Sequence, residues 1–109
     1  MSLKEISKQY FKMFSNKDLI GLEKIFTKDI TLRDWEIEAK GKKEVMKANS
    51  NIFRNGGNLL VNPLRLYEDD NTVIAELEIV VNDEKRLLVV DVIQFDSENK
   101  IRSIRAYKG

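Results

Sequence analysis

The stretch Leu87-Leu88-Val89-Val90-Asp91-Val92-Ile93-Gln94-Phe95 sets one carboxylate inside a run otherwise fit for the middle of a β-sheet. Read with period two, Leu87, Val89, Asp91, Ile93 and Phe95 share one face, while Leu88, Val90 and Val92 share the other. Neither face reads as wet. A lone ionised carboxylate is strongly disfavoured in such a place, so Asp91 is paired, solvated by a cavity, or held protonated at a raised pKa. The last two options describe a ligand site.

Outward from this run, the second half of the chain is all strand. Segments 59–68, 72–82, 86–95 and 100–107 are separated by the short polar turns Glu68-Asp69-Asp70-Asn71, Asn82-Asp83-Glu84-Lys85 and Asp96-Ser97-Glu98-Asn99, which predicts an antiparallel meander. Val73, Ala75, Leu77, Ile79 and Val81 form one apolar face, and Pro63 predicts an edge position or a bulge.

The first half reads mostly helical. Leu3, Ile6, Tyr10 and Phe14, with Phe11 beside them, recur on one helical face, and Asp18 is placed to cap a second, shorter helix carrying Leu22, Ile25 and Phe26. Ile30, Leu32 and Asp34 alternate with Thr31, Arg33 and Trp35, so a short strand is expected to point a second carboxylate inward. After Gly41, segment 42–55 puts Val45, Met46, Asn49, Ile52 and Phe53 on one stripe and stops at Asn55-Gly56-Gly57-Asn58. Helices followed by a curved antiparallel sheet predict an α+β fold, with three N-terminal helices against one face of the sheet.

A chain of 109 residues, 42% hydrophobic, is the size of one domain, expected to span 1–109. Nineteen Lys and Arg against eighteen Asp and Glu leave a net charge of +1, which argues against nucleic acid or an anionic membrane as partner. The absence of cysteine removes disulfides, thiol nucleophiles and thiolate metal sites, and the absence of histidine removes the usual general base and the commonest zinc ligand. Acid–base chemistry would fall to carboxylates, Tyr or Lys, with no metal and no cofactor expected. The opening MSLKEISKQ has no apolar signal core and no run reaches membrane-spanning length, so a cytoplasmic location is the expectation.

The element order resembles the cone-shaped fold of the nuclear transport factor 2-like superfamily, a cystatin-like architecture, and local motifs resemble its ketosteroid isomerase and SnoaL-like branch. Tyr10 stands eight residues before Asp18, which opens helix two. Phe26-Thr27-Lys28-Asp29-Ile30-Thr31-Leu32-Arg33-Asp34 is similar to that branch's aromatic, two or three polar residues, short strand and Asp. Asp91 through Phe95, an acidic turn, and Lys100-Ile101-Arg102-Ser103-Ile104-Arg105-Ala106 resemble its C-terminal block. The resemblance implies that Asp34 is a proton-shuttling base and that Tyr10 and Asp91 are the two donors of an oxyanion hole; the protonated Asp of ketosteroid isomerase is an established example of such a donor. Trp35 and the lysines at 40, 42 and 43 depart from the isomerases' Pro- or Gly-bearing loop, so steroid is one possible substrate among several.

Each position also has a plainer reading. Asp91 could be a hydrogen-bonded structural carboxylate, Asp34 a strand-end carboxylate in solvent, Tyr10 simple core, Asn49 a cap for nearby backbone, and Trp35 packing and not a cavity lid. The expected cavity is lined by Phe14, Trp35, Asn49, Phe53, Val89 and Ile93 around the catalytic Asp34, Tyr10 and Asp91, and takes a small apolar or carbonyl-bearing ligand. The function expected is proton transfer next to a carbonyl, as in an enolising isomerase or polyketide cyclase; the alternative is a non-catalytic ligand-binding or dimerising module. Leu88, Val90 and Val92 give strand 86–95 a second apolar face, for which a homodimer is the simplest cover.

Overall fold

A computed structural model describes residues 1–109. Its elements are α1 (Leu3–Ser15), α2 (Leu19–Ile25), β1 (Phe26–Arg33), β2 (Glu38–Lys40), α3 (Lys42–Asn55), β3 (Leu59–Asp69), β4 (Thr72–Val81), β5 (Lys85–Phe95) and β6 (Ile101–Lys108). The strands form one sheet in the order β2-β1-β6-β5-β4-β3. No helix is long and apolar enough to cross a membrane.

Local chemistry sets the helix ends. Ser2 caps α1 in a reciprocal box with Glu5, each side chain meeting the other's backbone N–H at 3.1 Å. Asp18 caps α2 by accepting from the Gly21 N–H at 2.9 Å. Gly41 opens α3 with φ 88°, a region where a side chain would be strained, and Gly57 turns the chain out of it with φ 71°.

The meander β3-β4-β5-β6 is antiparallel throughout, as its turns predict. Pro63 satisfies both of its expectations: β3 is an edge strand, and the register with β4 shifts between Pro63 and Arg65. The sheet as a whole is mixed, because β1 runs parallel to β6. That pairing carries a bulge, since Phe26 pairs with Ile101 but Thr31 with Ser103, five residues advancing against two. Further shifts at β3/β4 and β5/β6 add local bends to the sheet. Phe26 therefore begins a strand and does not end a helix. Within the bulge the Thr27 hydroxyl is buried without a hydrogen-bond partner, the only side-chain polar atom so placed.

The concave face carries the core: Phe26, Ile30 and Leu32 from β1, Val73, Ala75 and Leu77 from β4, and Val89, Ile93 and Phe95 from β5. Helix α1 lies against β3 and α3 against β1 and β2. Ser15 fastens α1 to the sheet, because its hydroxyl donates to the Phe11 carbonyl at 3.0 Å and accepts from the Val61 N–H at 2.9 Å. This clamp lies just beyond Tyr10 and fixes the helix face that looks into the cone.

Candidate active site

The helices do not fill the concave face completely. A cavity of about 240 Å³ remains, roofed by α1 and α3, floored by β3 to β6, and bounded at its mouth by the β1–β2 turn. Sixteen of its twenty lining residues are hydrophobic, so the four polar ones, Asp34, Glu36, Asn49 and Asp91, together with the Tyr10 hydroxyl, define its chemistry. Its volume corresponds to roughly eight water molecules of liquid, room for a small organic molecule.

Burial sorts these groups by depth. Asn49, Tyr10 and Asp91 are 2%, 5% and 7% exposed and form the deep end, whereas Asp34 is half-buried and Trp35 and Glu36 stand exposed at the mouth. The deep groups make no side-chain hydrogen bond to the protein, and none is sealed among the buried polar atoms that lack a partner; each therefore opens on the cavity. Tyr10 is held in place by aromatic packing, 5.4 Å from Phe11, 6.1 Å from Phe14 and 6.1 Å from Phe26 between ring centroids.

Asp34 arrives by a different route from the one its sequence phase predicts. Strand β1 ends at Arg33, and Asp34 begins the turn into β2. Its backbone N–H donates to the Ile37 carbonyl at 2.9 Å, while Oδ1 accepts from the N–H groups of Glu36 and Ile37 at 2.7 and 2.6 Å. The same carboxylate thus builds the turn and borders the cavity, and Oδ2 accepts no hydrogen bond from the protein.

The electrostatics follow from this layering. Burial, reinforced by the charge of Asp34, lifts the Asp91 carboxyl from its usual 3.8 to about 7. Burial likewise pushes the Tyr10 hydroxyl well above the ordinary phenol value, with Asp91 and Asp34 adding to the effect. Near neutral pH the deep end therefore holds a phenol and a carboxyl that is substantially protonated, both able to donate.

Of the residues expected in the cavity, the structure brings together Tyr10, Phe14, Asp34, Trp35, Asn49, Val89 and Asp91. Two expectations are corrected. Phe53 is buried behind Phe14, its ring 4.8 Å away edge-on, and does not reach the cavity. Ile93 shares the face of Asp91 but is fully buried in the core, where it pairs with Val73 and Ile104. Glu36 was not expected: its side chain leaves a turn, where no period fixes direction. Leu77, Ile79 and Val81, from the apolar face that the alternation of β4 predicts, also line the cavity. No group of three or more His, Cys, Asp or Glu side chains is disposed to hold a metal ion.

The sequence profile of the SnoaL-like domain matches residues 7–104, nearly the whole of this architecture. The chain belongs to the SnoaL-like family. No curated protein matches it. Solved structures similar to this SnoaL-like domain include a candidate ketosteroid isomerase from Kribbella flavida, at 11% identity and TM-score 0.85, covering 98% of this chain and 77% of that one. A candidate polyketide cyclase from Sinorhizobium meliloti aligns at 14% identity and TM-score 0.83, covering 94% and 93%. A protein of ketosteroid isomerase-like fold from Catenulispora acidiphila, in complex with trimethylamine, aligns at 14% and 0.83, covering 94% and 84%. At these identities the likeness establishes the nuclear transport factor 2-like fold of the SnoaL-like chain and leaves its chemistry to its own side chains.

Proposed function

We propose that this protein catalyses proton transfer at the carbon next to a carbonyl, without a cofactor, as an enolising isomerase or cyclase would. The observation that carries this is a cavity whose deep end presents a Tyr10 hydroxyl and an Asp91 carboxyl held at about pKa 7, with a carboxylate oxygen of Asp34 left free nearer the mouth. In the reaction, Asp34 Oδ2 takes the proton from the α-carbon, and the C–H electron pair moves into the carbonyl to give an enolate. Tyr10 and protonated Asp91 donate hydrogen bonds to the enolate oxygen, where charge develops. Asp34 then returns its proton to the same carbon or to a conjugated one, which closes the balance of atoms and charge. The neighbours described as candidate isomerase and cyclase support this class, and the one in complex with trimethylamine supports a small ligand.

The test is exchange of α-protons of a small aryl ketone with deuterated water, followed by NMR. Exchange accelerated by the protein and lost in Asp34→Asn supports the proposal. A second reading keeps the cavity but drops turnover, and it is favoured by the lining, sixteen of whose twenty residues are hydrophobic and suffice to bind an apolar ligand. Ligand binding with no acceleration of exchange would establish that reading instead.

We also infer a homodimer. The convex face of the sheet exposes Leu88 at 60%, Tyr107 at 56% and Ile74 at 37%, on adjacent strands around Val90 and Val92. A second copy of this face is a self-complementary cover.

A further inference from the structure

The lining of the cavity has a one-sided charge. Of the nineteen Lys and Arg in the chain none lines it, whereas Asp34, Glu36 and Asp91 all do. None of these carboxyls is paired with a cation, because the one ion pair of the chain joins Arg86 to Glu78 on the convex face. Asn49 and Asp91, each more than nine-tenths buried and without a protein partner, open on the same space, so the acidic groups border a built pocket and not a patch of surface. The arrangement is graded: donors sit at the deep end, and Asp34 and Glu36, the chain neighbours of Trp35, line the mouth with it.

A ligand anchored by its carbonyl at Tyr10 and Asp91 must place its other end among these mouth residues. A carboxylate there would face two like charges across an apolar cavity that screens poorly, while a substituted ammonium would meet two carboxylates and an indole face able to hold a cation. Even when Asp91 carries its proton, Asp34 and Glu36 leave the mouth acidic. We propose that the ligand selected by this cavity bears a positively charged, alkylated nitrogen on the end that stays near Trp35 and Glu36, and that carboxylate-bearing ligands are turned away. This rests on the reading that a carbonyl ligand occupies the cavity, and it narrows that ligand from any small ketone to a cationic one.

Three ketones of nearly equal size test it: para-acetyl-N,N,N-trimethylanilinium, its neutral isostere para-tert-butylacetophenone, and para-acetylbenzoate. Calorimetric titration of the full chain at low salt is expected to give the cation on the order of tenfold or more tighter than the neutral ketone, and the benzoate about tenfold or more weaker. Added salt should erode the first gap. Glu36→Gln should narrow that gap about threefold. Equal affinities for cation and neutral isostere, preference for the benzoate, an unchanged gap in Glu36→Gln, or no binding of any of the three would overturn the proposal. Exchange of the α-protons of para-tert-butylacetophenone is read in parallel. Exchange without cation preference removes the charge proposal alone, and cation preference without exchange removes the catalytic reading alone.

Discussion

Replacing Asp91 by Asn should change how stability depends on pH, and the structure gives both sign and size. The Asp91 carboxyl titrates at about 7 in the folded protein against 3.8 as a free side chain, raised first by burial and then by the charge of Asp34. Between those values the folded state binds a proton that the unfolded state has lost, so stability is complete below pH 3.8 and falls as pH rises toward 7. The gap, at about 1.4 kcal/mol per pKa unit, amounts to about 4 kcal/mol over the whole window. Between about pH 5 and pH 8.5 the share that remains to be lost is roughly 2 to 3 kcal/mol. Water entering the cavity would reduce this, but a loss below about 1 kcal/mol would contradict burial as the main cause. Asn keeps the shape without the titration, so other groups cancel when the variant is compared with the parent. Urea unfolding of both proteins at the two pH values is the assay, with the parent losing ground to Asp91→Asn at the higher one. Curves that run parallel, within about 0.5 kcal/mol, would refute the argument and leave Asp91 an ordinary carboxylate. The same titration bears on catalysis: α-proton exchange should decline above pH 7, as Asp91 loses the proton it donates.

Asp34→Asn should abolish exchange yet preserve folding, since the amide oxygen can still accept from Glu36 and Ile37; exchange at the parent's rate would remove Asp34 from the mechanism. Tyr10→Phe should slow exchange roughly ten- to a thousandfold by deleting one donor, with circular dichroism unchanged. Thr27→Val, which exchanges an unpartnered buried hydroxyl for a methyl, should raise stability by about 1 kcal/mol in urea unfolding, and a loss of similar size would show that the hydroxyl has a partner. Leu88→Asp should yield a monomer in sedimentation without loss of monomer stability; a parent protein that sediments as a monomer at micromolar concentration would dispose of the dimer.

What was legible in the sequence was mostly what period alone encodes. The stripe of segment 42–55, closed by its double glycine, is α3 to the residue, and the alternation around Asp91 placed that carboxyl on the concave face. Period does not encode depth. Val89 and Ile93 share a face with Asp91, yet only Val89 meets the cavity, because the core closes between β4 and β6 at Ile93. Phe53 lies on the expected stripe of α3 but one aromatic layer behind Phe14. Strand β2, three residues long, is too short to show alternation, and the parallel pairing of β1 with β6 joins segments some seventy residues apart, about which local sequence is silent. Asp34 shows the limit most clearly. Its inward phase was legible, whereas the Asx turn that takes one of its oxygens depends on backbone geometry after the strand has ended.

The double use of Asp34 fits the proposed chemistry better than a free carboxylate would. Two backbone N–H groups on Oδ1 hold the side chain in one orientation, so the remaining oxygen is positioned without a loss of rotamer freedom on each turnover. The charge of Asp34 also acts across the cavity, since it contributes to raising both Asp91 and Tyr10 and so helps keep the two donors protonated while the base is ready. In the proposed step, the negative charge that Asp34 loses on taking the proton would leave the mouth side and reappear as the enolate at the donors. The total charge in the cavity is unchanged through the step, and the groups that receive it are already oriented, which is the condition under which fixed hydrogen-bond donors stabilise a transition state without reorganisation. An apolar cavity strengthens that effect by keeping the dielectric low. In the proposed reaction the hydrophobic lining and the few polar groups would act together, burial raising the pKa of Asp91 and Tyr10 and strengthening the hydrogen bonds they donate.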